Sequence, residues 1–133
     1  YIVVARSGAT VGKNYLYDSV DGDMVFASYL IRFRLNQDLV FPKYIFYYFN
    51  SRKYRNFIKH KKRGGAQSNI NATELKKLKI PVPPKQEQRK MIKKLDQLKG
   101  SIGMIENEIK KRDYLLERLP QSILKKAFAG ELV

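Results

Sequence analysis

The sequence has no cysteine, a single histidine, and only 12 acidic side chains against 27 basic ones. Without cysteine there is no disulfide and no thiolate metal site, which suits a reducing cytoplasm. The histidine, His60, lies among Lys59, Lys61 and Lys62, where its charged form is disfavoured and no carboxylate stands beside it. It is not a candidate catalytic base. No apolar run approaches the roughly 18 residues of a membrane span; the nearest, Ile45–Phe49, is short and rich in tyrosine, and no signal-peptide pattern is present. Asp18, Asp21, Asp23 and Asp38 fall at turns without metal-ligand spacing. No acid, base, nucleophile or ligand set emerges, so the expectation is a non-enzyme with no metal and no cofactor of its own.

What the chain has in abundance is positive charge, a formal +15 over 133 residues, alongside 44% hydrophobic residues, enough for one modest domain and an extension. Such a balance favours a polyanionic partner. The charge is not spread evenly. Residues 1–40 are neutral, residues 41–85 carry 12 basic side chains against Glu74 alone, and residues 86–133 carry 11 against seven. A polyanion is therefore expected at the middle third. The chain begins at Tyr1, inside an apolar run, and is expected to be a piece of a longer protein.

The first half reads as short strands and helices. Tyr1–Ala5 is β-rich, with Asn14–Tyr17 as a hairpin partner. Alternation predicts a long strand from Met24 to Leu35, turning Ala27, Tyr29, Ile31 and Phe33 to one side. Pro42 opens a helix with Ile45, Phe46 and Phe49 on one face. A second helix runs from Arg52 to about Lys62, buries Phe57 and Ile58, and stops at Gly64-Gly65. Asn71 and Glu74 have the spacing of a capping box. Ile80-Pro81-Val82-Pro83-Pro84 must be extended, and leads into a long helix starting near Gln86 and ending before Pro120, with a short last helix over residues 121–129 stopped by Gly130.

Along that long helix the apolar residues fall at Met91, Leu95, Leu98, Ile102, Ile105, Ile109, Leu116, Leu119 and Ile123, a heptad seam broken once, by Arg112. This is the pattern of a coiled coil. With Leu95 and Leu98 at a and d, Gly100, Gly103, Met104, Asn107 and Tyr114 fall on the outer face. Mid-helix glycines cost about 1 kcal/mol each relative to alanine, so they point either to close approach by another helix or to a tolerated bend.

Two glycine segments bear on function. Ser7-Gly8-Ala9-Thr10-Val11-Gly12-Lys13-Asn14 has three residues between its glycines where a phosphate-cradling loop has four, and Asn14 where that loop has Ser or Thr. It reads instead as a strand-to-strand turn, with Lys13 available to a backbone phosphate. The run Lys59-His60-Lys61-Lys62-Arg63-Gly64-Gly65-Ala66-Gln67-Ser68-Asn69-Ile70-Asn71 combines cations, glycines that allow close approach to phosphates, and amides and a hydroxyl able to bond base edges. The plainer reading is a solvated helix end whose cations complement the dipole.

The string Gly64–Asn71, followed by Leu75, Leu78, Ile80–Pro84 and Glu87-Gln88, resembles the junction between recognition domain and spacer helix in the specificity (S) subunit of type I restriction-modification enzymes. The tail Leu119–Leu132 is similar to the segment closing that family's second repeat, and Arg6–Gly12 resembles a glycine turn within its recognition domains. The resemblance implies roughly the last third of an S subunit, without the front of the recognition domain. It also implies a cytoplasmic bacterial or archaeal complex in which S reads a split sequence in double-stranded DNA. In that complex methyltransferase (M) subunits bind S-adenosylmethionine and restriction (R) subunits use ATP, so those cofactors belong to partners.

The expected architecture is α+β. A partial target recognition domain over residues 1–84 would precede a coiled-coil spacer helix with a short C-terminal helix over 85–133. Lys13, Lys61, Lys62, Arg63, Gly64, Gly65, Gln67, Ser68 and Asn69 are the expected DNA contacts. Leu95, Leu98, Ile102, Ile105, Ile109, Arg112 and Leu116 would pair with another S-subunit helix or a second copy, while Gly100, Gly103, Met104, Asn107 and Tyr114 would dock M, and R through it. The competing reading is a basic coiled-coil tether that binds polyanions without reading sequence; the polar glycine loop, which a tether does not need, separates the two.

Overall fold

The computed structural model describes residues 1–18, 22, 25, 27–62 and 69–130. Its order is β1 (Ile2–Ala5), β2 (Asn14–Leu16), β3 (Leu30–Phe33), α1 (Pro42–Phe49), α2 (Arg52–Lys62), α3 (Ala72–Lys76) and α4 (Lys85–Phe128). The class is α+β: a small antiparallel sheet in the order β2-β1-β3, helices, and a long terminal helix. β1 is paired on both sides, Val3 standing opposite Tyr15 and Arg32, so all four of its residues are buried. Ile2 and Val4 alternate onto the helical side and join Val40, Ile45, Phe49, Tyr54, Ile58, Ile70 and Leu75 in one core. Phe49 is its hinge of aromatic contacts, edge-on to Phe33 at 5.7 Å and stacked on Tyr54 at 4.7 Å.

The helices begin and pack largely as their sequence dictates. Pro42, with its fixed φ and missing N–H, opens α1, which buries Tyr44, Ile45 and Phe49. α2 covers Arg52–Lys62 and buries Ile58 with Phe57 half-buried, but its largest buried side chain is Tyr54. The expected stop at Gly64-Gly65 lies outside the described residues. At α3 both capping-box bonds form: the Asn71 side chain accepts the Glu74 N–H at 2.8 Å, and Glu74 accepts the Asn71 N–H at 3.2 Å.

Two expectations are corrected. Among the described residues the strand predicted from Met24 to Leu35 is the four-residue β3, whose pairing with β1 ends at Ala5 opposite Leu30, with one further bond from the Arg6 N–H to the Tyr29 carbonyl at 2.8 Å; Met24 and Phe26 lie outside the described residues. Ala27–Tyr29 instead forms a turn, closed by the Leu30 N–H donating to Ala27 at 3.0 Å, and Tyr29 is exposed. Ile31 and Phe33 do lean on the core, as the alternation required. Second, α4 does not stop before Pro120 but runs through it to Phe128, 44 residues in all. An interior proline forfeits one backbone bond, to the carbonyl of Leu116. That residue is exposed, so water can satisfy the carbonyl, and the helix-favouring run Leu124–Phe128 carries the helix on. Residues 121–128, expected in a separate last helix, are the end of α4, and Gly130, at φ +75°, follows it as expected.

The chain divides into two compact units, residues 1–92 and 93–133. The first two turns of α4 thus belong to the first unit, where Ile92 packs on the core. No helix among the described residues is long and apolar enough to cross a membrane, and no cluster of side chains could hold a metal.

Candidate nucleic-acid interface

The β1–β2 connection is a tight glycine turn. Gly8 and Gly12 both have positive φ, +77° and +84°, and the Gly12 N–H donates to Ala5 at 2.9 Å while the Ala5 N–H donates to Lys13. Gly12 is required twice over. A Cβ there would lie 2.7 Å from Cγ2 of Ile58, so the turn presses directly on α2. The buried Tyr54 hydroxyl completes the clamp by donating to the Gly12 carbonyl at 3.0 Å. Burial pushes the pKa of this hydroxyl well above the ordinary tyrosine range, so it remains a donor.

A third segment joins this rim from far along the chain. Ser7 and Asn69 form an isolated antiparallel bridge, and the Ile70 N–H donates to Arg6 at 2.7 Å. With Ile70 only 1% exposed, the residue that leaves the polar loop is anchored in the core beside the turn, while Asn69 stays exposed. Between turn and α2 runs an open groove of about 530 Å³, floored by Phe49, Tyr54 and Ile58 and edged by Lys13, Arg55 and Lys59. Its polar wall is set by Asn14 and Asn50: Asn14 donates to the Phe49 carbonyl at 3.1 Å and accepts from Asn50 at 3.2 Å.

Of the residues expected to contact DNA, Lys13 and Asn69 are exposed on this rim. Lys61 is half-buried and 3.7 Å from Glu74, a long and partly solvated pair of little energetic weight. Lys62 is the last residue of α2; Arg63, Gly64, Gly65, Gln67 and Ser68 lie outside the described residues. Arg55, which the sequence reading missed, and Lys59, which opened the basic run but was not among the expected contacts, are four apart on α2 and therefore on one face, with no ion pair to either among the described residues. Their spacing was visible; that the face opens beside a glycine turn some forty residues earlier was not.

In the second unit the seam stands open. Leu98, Ile102, Ile105, Ile109 and Leu116 are all half exposed or more, Leu98 at 51% and Leu116 at 63%, and Arg112 is exposed among them; Leu95 is half-buried. On the outer face Gly100, Met104, Asn107 and Tyr114 are exposed and Gly103 is half-buried. A Cβ at either glycine would meet nothing within 4 Å. Tyr114 carries the Arg118 guanidinium over its ring at 5.5 Å.

The chain is similar to curated specificity subunits of type I restriction enzymes. It is 33% identical over 119 residues to the MjaX specificity subunit of Methanocaldococcus jannaschii, covering 89% of this chain and 27% of that protein. It is 28% identical over 133 residues to the StySPI specificity subunit of Salmonella potsdam (98% and 29%), and 32% identical over 111 residues to the EcoKI specificity subunit of Escherichia coli (83% and 24%). The chain thus spans between 24% and 29% of the length of these relatives. No solved structure matches it significantly. The model of the type I restriction modification DNA specificity domain matches residues 1–112, most of the chain, and the protein belongs to that family.

Proposed function

We propose that this chain is part of a non-catalytic specificity subunit, working in the cytoplasm, that reads one half of a split double-stranded DNA target within a type I restriction-modification complex. The observation that carries the reading is the Ser7–Asn69 bridge, which sets the exit of the polar loop beside the glycine turn and the basic groove. Gln67, Ser68 and Asn69 supply groups of the kind that bond base edges, Gln and Asn matching adenine in a bidentate manner. Lys13, Arg55 and Lys59, with Lys61, Lys62 and Arg63, supply phosphate contacts that position without reading sequence. Gly64 and Gly65 let the backbone come close to the duplex.

Residues 1–84 are the recognition part and residues 85–133 the spacer. The apolar seam pairs antiparallel with another helix of the full subunit, or of a second copy, and its length sets the interval between half-sites. Gly100, Gly103, Met104, Asn107 and Tyr114 face the methyltransferase subunits, through which the restriction subunits join; S-adenosylmethionine and ATP are bound by those partners. Because side chains at Gly100 and Gly103 would meet open space, a double leucine variant should fold and pair normally. Loss of co-purification with the methyltransferase would then report docking alone, and parental capture would remove these residues from the contact.

The assembled complex, offered a pool of randomised duplexes, should select a split motif with a fixed interval. Recovery of sequences with no common motif, at undiminished affinity, would favour a tether that binds polyanions without reading them.

A further inference from the structure

Among the described residues Gln88 is the one buried polar side chain, with no measurable exposure, although it lies on a helix that buries no other residue. All its hydrogen-bonding capacity is directed at backbone. Its Oε1 accepts the Phe41 N–H at 3.0 Å, and its Nε2 donates to the Leu39 carbonyl at 3.0 Å and the Pro83 carbonyl at 2.7 Å. One side chain therefore ties together the segment entering α1, the proline linker and the first turn of α4. Two cations cover the same spot, Lys85 at 5.4 Å and Arg89 at 5.6 Å from the centre of the Phe41 ring. The linker itself is strapped to α1, as Tyr44 donates to the Pro81 carbonyl at 2.9 Å and Tyr48 to the Lys79 carbonyl at 3.1 Å.

Packing does not explain this arrangement, since a leucine would fill the space with less desolvation. What the amide supplies is direction: donors and an acceptor that fit only one placement of the helix root against Leu39–Phe41. We propose that Gln88 is a positioning residue which locks the root of α4 to the globular unit and so fixes the point from which the helix measures the interval between half-sites. The proposal rests on the reading of α4 as the spacer of a split-site DNA reader. Leverage is the physical reason the root matters. A rotation of about 10° there would swing the far end of a helix about 66 Å long by about 11 Å, the rise of about three base pairs. Helix length can act as a ruler only if its origin does not move.

The test uses the full-length subunit assembled with its methyltransferase, and duplexes whose half-sites are fixed while the interval between them grows by single base pairs. The parent should prefer one interval. In Gln88→Leu the ratio of affinities between the best interval and its neighbours should fall by about tenfold, while base preference within each half-site is kept. Weaker binding at every interval with an unchanged ratio would assign Gln88 to stability alone and overturn the proposal. Tyr44→Phe, which removes only the bond to Pro81, gives a milder probe should the first variant not fold; a ratio identical to the parent's would overturn the proposal in the same way. A parent indifferent to interval would instead remove the spacer reading, and the proposal with it.

Discussion

Residues 1–92 and the helix beyond them spend their apolar side chains in opposite ways. In the globular unit Ile2, Val4, Ile45, Phe49, Ile58 and Ile70 are buried against one another, and every buried side-chain polar atom among the described residues has a partner. Along residues 93–128 the equally regular residues Leu98, Ile102, Ile105 and Ile109 remain half exposed. The first pattern is satisfied within the chain. On the proposed reading the second is written for a neighbour, because a solvated helix gains nothing from a continuous apolar seam. The same sequence therefore encodes a unit whose apolar residues cover one another and a helix whose apolar seam is left open.

Substitutions can separate the two halves. The largest expected effect is in the core: Tyr54→Ala removes the ring stacked on Phe49 and the hydroxyl bonded to Gly12, and should cost about 3 to 5 kcal/mol in denaturant unfolding. Helix pairing, followed by light scattering, should survive, because the seam from Leu95 onward is carried by residues 93–133. Next is Gly12→Ala, which places a Cβ 2.7 Å from Ile58 at a φ of +84°; by the scale of left-handed strain and overpacking it should cost about 2 to 4 kcal/mol. On the proposed reading it should also disturb DNA binding, since Lys13 follows this turn and Asn69 is bridged to Ser7 at its start. A Gly12→Ala variant as stable as the parent would contradict the close contact between turn and α2.

On the helix side, Arg112→Leu fills the one charged seam position. It should strengthen association but admit other registers or oligomers, since a lone polar seam residue specifies register at the expense of stability. An unchanged mass distribution and thermal midpoint would deny Arg112 that role. Smallest are the surface cations. Lys13→Ala, Arg55→Ala and Lys59→Ala, like Lys61→Ala, Lys62→Ala and Arg63→Ala, should each lower the slope of log affinity against log salt by about 0.9 on every sequence. A slope that does not move removes that residue from the phosphate contacts.

Much of this was legible in the sequence, for local reasons. Pro42, the Asn71–Glu74 box, the positive-φ glycines and the heptad seam are signals whose cause lies within a few residues. What was not legible depends on partners distant along the chain. The long strand read from Met24 to Leu35 failed because strand length is set by the pairing strand, and β1 offers only four residues. Pro120 looked like a stop because its lost bond was weighed without the exposure that lets water replace it. What surrounds Arg55, Lys59 and Gln88 was not legible either: their neighbours are Lys13, Leu39 and Phe41, and only the fold brings these together.

The central claim is that this chain itself reads bases in one half of a split site. The most direct measurement is sequence selection from randomised duplexes by the assembled complex, comparing the parent with Gln67→Ala and Asn69→Ala. Each variant should relax a single position of one half-site, at about 1 to 3 kcal/mol for the preferred base, and leave the other half-site unchanged. An equal loss of affinity on all sequences, with the selected motif intact, would contradict base reading by this loop.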